Sequence, residues 1–315
     1  MWSALADPVR SRMHKDWGSR WIGRAAAVER RDALSYAAFE RDHLQPRRPV
    51  VLVGAVESWR ALRTWTPAFF AERYRGRKVV CRNDDAERTM ESYVAALDAS
   101  TPDKPLPYLR NLNIQRDYPE LVEDISPPLS FAEPDWLSSR LMPRDWLRPN
   151  RLNQLFISGR GARIPLHYDD WMTHNMVSNV YGDKRFLLFD PSQADHLYRC
   201  GDAASGESYI LSAVDPWRPD LQKFPRLAEA QAHEVVIGKG DTLFVPAGWW
   251  HSSFTETTCI SVSSSFANGS NWNLLVAEIG RLRAKEPAAK RLAVTAFLGV
   301  VGTTLGALRR VGVNP

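Results

Sequence analysis

From Asn153 to Phe266 the sequence is cut into short apolar runs by Gly, Pro and Asp, and this punctuation limits the folds open to it. Leu155-Phe156-Ile157, the stretch around His167, Asn175 to Tyr181, Arg185 to Phe189, Tyr209-Ile210-Leu211, His233 to Ile237, Thr242 to Val245 and Ile260 to Phe266 each read as a strand. Short strands with turn residues between them argue for a barrel or jelly roll rather than a doubly wound sheet. The expected fold is therefore mainly β with flanking helices.

The regions on either side read as cover. Residues 1–150 are expected to form a helical and strand cover, 151–268 the core, and 269–315 C-terminal helices. A short helix should enter at Asp32 or Ser35, and Pro49-Val50-Val51-Leu52-Val53 reads as a buried strand stopped by Gly54. Thr66-Pro67 has the pairing of an N-cap with proline at the first helical position. Lys78 to Cys81 reads as a strand, Met90 to Leu97 as a helix, and Tyr108 to Asn113 as a further strand. Between Pro119 and Pro149, Trp136, Leu141, Trp146 and Leu147 are too apolar for a linker, so this proline-punctuated region reads as irregular covering structure.

Trp272 to Lys285 has amphipathic spacing, and Lys290 to Val311 is apolar. No charge occurs from Leu292 to Leu308, a helix of roughly 25 Å, slightly short for a bilayer. Gly302 and Gly306 form a small-residue seam. The reading favours a helix buried in a homodimer or against the barrel over membrane association. The formal charge of +5 forms no block of like charges, so no nucleic-acid footprint is read. Three widely spaced cysteines, Cys81, Cys200 and Cys259, fit neither a disulfide framework nor a thiolate zinc site, and a cytoplasmic setting is expected. Met1 to Arg31 lacks an apolar signal core, and Asp7, Asp16 and Glu29 argue against a transit peptide.

Within the strand-dense half, Pro165-Leu166-His167-Tyr168-Asp169-Asp170 carries the first candidate chemistry. Residues i and i+2 of a strand share a face, so His167 and Asp169 can converge on one point, whereas Asp170 should turn away. A His-x-Asp pair alone equally suits a structural histidine. What raises it is His251, which follows a turn-forming Pro246-Ala247-Gly248 and sits beside Trp249 and Trp250, a dry wall. Two imidazoles and one carboxylate on one side of a metal suit a non-haem Fe(II) oxygenase. His174 is expected on another part of the hairpin. Lys184 follows the turn dipeptide Gly182-Asp183 and alternates with Phe186 and Leu188. It is either a solvated hairpin lysine or, if those two face the interior, a buried cation needing an anion such as a dicarboxylate.

Pro49-Val50-Val51-Leu52 with Trp59 and Trp65-Thr66-Pro67, then Pro165 to Asp169, Gly182 to Phe186, and Gly240-Asp241 through His251 together resemble the cupin-like JmjC-type Fe(II)/2-oxoglutarate-dependent oxygenases, among them the asparaginyl hydroxylase of hypoxia-inducible factor. The resemblance covers roughly residues 28 to 268. It implies a double-stranded β-helix, with Fe(II), the cosubstrate 2-oxoglutarate and O2. His167, Asp169 and His251 become the iron triad, and Lys184 pairs with the distal cosubstrate carboxylate. Tyr108 resembles a tyrosine contacting the same carboxylate, and Asn175 an asparagine near the iron-bound end. The chain departs from that relative at Ile164, where it has a threonine, at Ser265, where it has an asparagine, and in extra length at Asp170 to His174.

The activity so implied is hydroxylation of an unactivated carbon, coupled to oxidation of 2-oxoglutarate to succinate and CO2. The expected substrate is a peptide or protein side chain or an amino-acid-like small molecule. A cupin that binds metal or ligand without turnover, as a regulatory protein, is the competing reading. Trp171 to His174 and the insert from Cys200 to Pro225 are expected to frame the barrel mouth.

Overall fold

A computed structural model describes residues 25–81, 84–109, 112–143, 153–201 and 210–312. The N-terminal arginine-rich stretch, Trp146, Leu147 and Tyr209 lie outside the described residues. Eight strands build the centre: β7 (Gln154–Ser158), β8 (Arg163–His167), β9 (His174–Tyr181), β10 (Lys184–Phe189), β11 (Ala232–Ile237), β12 (Thr242–Val245), β13 (Trp250–Thr255) and β14 (Cys259–Phe266). They alternate between two antiparallel sheets, ordered β11-β10-β13-β8 and β12-β9-β14-β7. This is a double-stranded β-helix: successive strands wind from one sheet to the other and enclose one interior. The N-terminal region extends both sheets. β1 (Ala26–Ala27) joins β11 and β2 (Glu29–Arg31) joins β3 (Val50–Leu52), both in parallel, while β3 pairs antiparallel with β12.

The pleat of β10 shows how the sequence positions the interior. Phe186 and Leu188 pack between the sheets with Val177, Val235 and Leu243, while Leu187 and Phe189 point outward into a second cluster with Trp217, Leu227 and Trp250. Lys184 falls on the inward parity and is buried. Burial on both faces of β9 and β10 explains why those runs lack a clean alternation of apolar and polar residues.

The first cover packs on the outer face of the larger sheet. Ser35 caps a helical segment, α1 (Tyr36–Phe39), that continues as a π-helical turn through Glu40–Leu44. Thr66 caps α2 (Pro67–Arg73) by accepting from the Phe69 amide. β4 (Lys78–Cys81) pairs with β5 (Asp84–Thr89), and Thr89 caps α3 (Met90–Leu97) through a capping box with Ser92. The Pro119–Ile125 segment is a 3-10 helix whose buried Asp124 accepts from Trp65 Nε1 at 2.8 Å and Arg60 Nε at 2.5 Å.

Three local readings change. Among its described residues the Tyr108–Asn113 run contributes β6 (Leu112–Asn113), with Leu109 bridging Cys81. Leu211 makes an isolated bridge to His167 instead of belonging to a strand. β13 was visible in sequence only as a start at His251, because its His-Ser-Ser-Phe-Thr run is polar where it faces the cavity and hydroxyl-bonded where it does not.

The chain closes with an α-hairpin, α4 (Trp272–Leu282) and α5 (Ala288–Arg310). By length and composition α5 would also serve as a membrane span, yet Val294, Leu298, Val301 and Leu305 form one buried face against α4 and Trp136. Leu292 and Val300 face outward. The seam glycines are not equivalent: a Cβ on Gly302 would lie 2.3 Å from Trp272 Cδ1, whereas nothing lies within 4 Å of one on Gly299. In urea unfolding, Gly302→Ala should therefore destabilise by about 1–3 kcal/mol through overpacking. Gly299→Ala should stabilise by about 0.5–1 kcal/mol through helix propensity.

Candidate metal centre

The site is set by register. β13 pairs antiparallel with β8 so that His251 lies directly opposite His167. Opposed residues on one face have Cβ atoms about 5 Å apart, and the two rings stand with centroids 4.2 Å apart. The next register pair is Ser253 with Ile164, so β8 carries one extra residue there, a bulge at Pro165-Leu166. Pro165 lacks an amide to donate to a ladder, so a bulge is a place it can occupy. Beyond the strand end the backbone of Asp169 stays extended, and alternation continues: Tyr168 is buried in the outer cluster and Asp169 turns inward with His167.

On the other side, Trp249 N–H donates to Pro246 O at 3.1 Å, closing a turn in which Gly248 has φ +80°. A positive φ at the third position defines a type II turn, where glycine carries no steric penalty. That turn delivers Trp250 outward and His251 inward.

Asp169 Oδ1 lies 4.0 Å from His167 Nε2 and 3.9 Å from His251 Nε2. Among the described residues, this trio is the one group of three His, Cys or carboxylate side chains whose donor atoms all fall within 4.8 Å of one another. His167 Nδ1 lies 2.8 Å from Pro165 O and His251 Nδ1 lies 3.1 Å from Trp249 O. A carbonyl only accepts, so each Nδ1 carries the proton and each Nε2 presents a lone pair to the shared point. Asp169 Oδ2 is buried and accepts no hydrogen bond from a described residue. Asp169 Oδ1 beside two imidazole lone pairs, with Oδ2 unpartnered among the described residues, fits a divalent cation, and the two-nitrogen, one-oxygen donor set suits Fe(II).

The triad opens on a cavity of about 320 Å³ between the sheets. Tyr108, Asn175, Lys184 and Ser265, the other residues singled out in sequence, all line it. Lys184 stands four residues along β10 from Leu188, the partner of His251, hence about 13 Å away measured along the strand. Its Nζ sits 3.4 Å from Ser261 Oγ and 5.4 Å from the centroid of the Phe156 ring. Burial pushes its pKa down, opposed by the neighbouring Cys259 thiol, itself pushed up to about 11 by burial. No carboxylate lies within ion-pair reach of Lys184 among the described residues. Asn175 Oδ1 accepts from Ser263 Oγ at 2.9 Å, and Asn175 stands opposite Ser265 on β14.

One cavity residue was not singled out in the sequence. Ser253, inward on β13 between the levels of His251 and Lys184, has a buried hydroxyl without a partner in the cavity wall. Its signal was its i+2 spacing from His251, hidden because β13 was not read as a strand. Asp170, expected to turn away from His167, lines the cavity edge instead, because the chain turns there, but it stays outside the trio; desolvation, then Asp169, then Glu278 raise its pKa. Of the residues expected at the mouth, Thr173 lines the cavity, joined by Ile210 and Leu211, whereas residues 202–209 lie outside the described set. His174 points away from the cavity: its Nδ1 accepts from Ala247 N–H at 3.0 Å and its Nε2 lies 2.8 Å from Ser270 Oγ.

An interior of two interleaved four-stranded sheets holding a His, Asp, His donor set is that of a cupin-type fold with a candidate metal site. The Cupin-like domain family matches residues 36–270, and the chain belongs to that family, of the JmjC oxygenase type. It is 30% identical over 243 residues to tRNA wybutosine-synthesizing protein 5 of Danio rerio, a match covering 68% of this chain and 67% of that one. Lysine-specific demethylase 8 of Xenopus tropicalis is 28% identical over 239 residues, covering 72% and 49%. The 2-oxoglutarate and iron-dependent oxygenase JMJD4 of Gallus gallus is 22% identical over 277 residues, covering 81% and 63%. The chain thus spans about half to two thirds of the length of these relatives.

His174 carries a pH signature. Burial lowers its pKa from 6.5 to about 3, so the folded protein keeps it neutral while the unfolded chain binds a proton below pH 6.5. Its contribution is complete above that pH and declines as pH falls toward 3. Stability from urea unfolding between pH 7 and pH 5 should show a shallower pH slope in His174→Gln, by a difference that grows toward about one proton as pH falls to 5.

Proposed function

We propose that this chain is an Fe(II)- and 2-oxoglutarate-dependent dioxygenase that hydroxylates an unactivated carbon of a peptide or protein side chain, or of an amino-acid-like small molecule. The observation that carries the reading is one cavity with a His167, Asp169, His251 donor set at one end and an unneutralised, buried Lys184 at the other. A short dicarboxylate satisfies both ends: a chelating end faces the triad and the distal carboxylate neutralises the ammonium. Bound at the triad, ferrous iron would supply O2 activation coupled to oxidative decarboxylation of the cosubstrate.

The protein's own part is binding, orientation and exclusion of water. Lys184 and Ser261 hold the distal carboxylate, with Tyr108 beside them in the wall. Phe156, Ile164, Val177 and Phe186 supply apolar walls that strengthen the ionic contact by excluding water. Asn175, fixed by Ser263, lies toward the reactive end. Names of relatives support the substrate class in part: lysine-specific demethylase 8 acts, by name, on an amino-acid side chain. The tRNA wybutosine-synthesizing relative makes an RNA-borne substrate the alternative for the same chemistry.

Anaerobically purified protein given Fe(II), 2-oxoglutarate and O2 should release succinate. Asp169→Ala should abolish release, and Lys184→Ala should raise the KM for 2-oxoglutarate by at least about thirtyfold, as expected when one partner of a buried charge pair is truncated. Metal binding without succinate would instead favour the non-catalytic cupin. A panel of peptides, amino acids and tRNA as stimulators of succinate release identifies the substrate class.

A further inference from the structure

The extra length after Asp169 forms a strained turn. Trp171 has φ +60° and Met172 φ +53°, two consecutive bulky residues in the left-handed region. Each such residue is strained and persists only where its surroundings over-determine it. Here Trp171 packs against the cluster of the C-terminal hairpin, and Met172 O accepts from Asn271 Nδ2 at 2.7 Å. Asn271 stands at the start of α4 and is 1% exposed.

The clamp continues. Asn271 Oδ1 accepts from Asn268 N–H at 2.9 Å, and Asn268 Oδ1 accepts from Ser270 N–H at 3.0 Å and Ser270 Oγ at 2.7 Å. With its proton so directed, Ser270 Oγ accepts from His174 Nε2–H at 2.8 Å. That tautomer leaves the Nδ1 lone pair free to accept from Ala247 N–H, inside the turn that delivers His251. Donors and acceptors alternate consistently along the whole path. One end fixes the turn that follows Asp169, the other the turn that precedes His251.

We propose that this largely buried path, Met172 to Asn271 to Asn268 to Ser270 to His174 to Ala247, is a brace that presets the separation of two metal ligands, Asp169 and His251, from distant segments of the chain. Asn271 and His174 are then positioning residues for the metal, acting through Asp169 and His251, and the C-terminal hairpin is part of the iron site's support. The inference rests on the metal reading above. Supporting partners of metal ligands characteristically tune affinity by about ten- to a hundredfold.

The test is calorimetric titration of the full chain with Mn(II), which reads metal affinity without turnover. Wild type should bind one Mn(II), Asn271→Leu about ten- to a hundredfold more weakly, and Ser270→Ala, a milder cut in the same path, more weakly by a smaller factor. His174→Gln, whose amide can both donate and accept, should retain most of the affinity lost in His174→Leu. Were Asn271→Leu unable to fold, the Ser270→Ala and His174 pair decide alone. Lower melting temperatures with Mn(II) affinity unchanged would overturn the brace, leaving those residues merely structural. Failure of wild type to bind metal would overturn the metal reading itself.

Discussion

The structure depends on one register: β8 against β13, with His167 facing His251 across a strand pair. A shift by a single residue would send one imidazole to the outer apolar cluster and leave the other alone in the cavity. The register is held from outside by packing of Tyr168 on Trp250, with centroids 5.0 Å apart. From above, the type II turn at Gly248 holds it. The bulge at Pro165-Leu166 then lets the two strands resume pairing at Ile164 and Ser253, so that the ligands approach without distorting the remaining sheet.

Two charged groups without an oppositely charged Lys, Arg or carboxylate partner among the described residues follow from that frame. Among the described residues, Asp169 Oδ2 has no donor and Lys184, at the other end of the cavity, has no carboxylate in ion-pair reach. Leaving either unpaired costs several kcal/mol in a dry interior. A fold that keeps both in one cavity is stabilised by whatever supplies a cation at one end and an anion at the other. Cosubstrate recognition and tolerance of buried charge are thus one property of the cavity. Other buried ionic groups in the chain are compensated internally: Arg185 pairs with Glu234 and Glu256, and Asp124 with Arg60 and Trp65.

Much of this was legible before the coordinates. The i, i+2 spacing of His167 and Asp169, the turn before His251, and the alternation of Lys184 with Phe186 and Leu188 follow from strand geometry alone, and the structure brings His167, Asp169, His251, Lys184 and Phe186 to one cavity. Local capping at Thr66 and Ser35 was equally readable, because such chemistry is decided within a few residues. What escaped depends on distant partners. β1 and β2 are too short to announce themselves and exist because β11 and β3 offer edges. β13 was obscured because its inward positions bear polar groups serving the site. His174 could be set aside as a ligand from sequence, but its place in a path between Asn271 and Ala247 could not be seen without the return of the C-terminal hairpin.

The central claim is that ferrous iron is held by His167 Nε2, Asp169 and His251 Nε2. Its most direct test is an anaerobic crystal structure of the Fe(II)-loaded protein with anomalous diffraction measured at the iron edge. The account predicts one strong peak about 2.0–2.2 Å from those three donors. A peak elsewhere in the chain, or an iron bound through either Nδ1 atom, would contradict it.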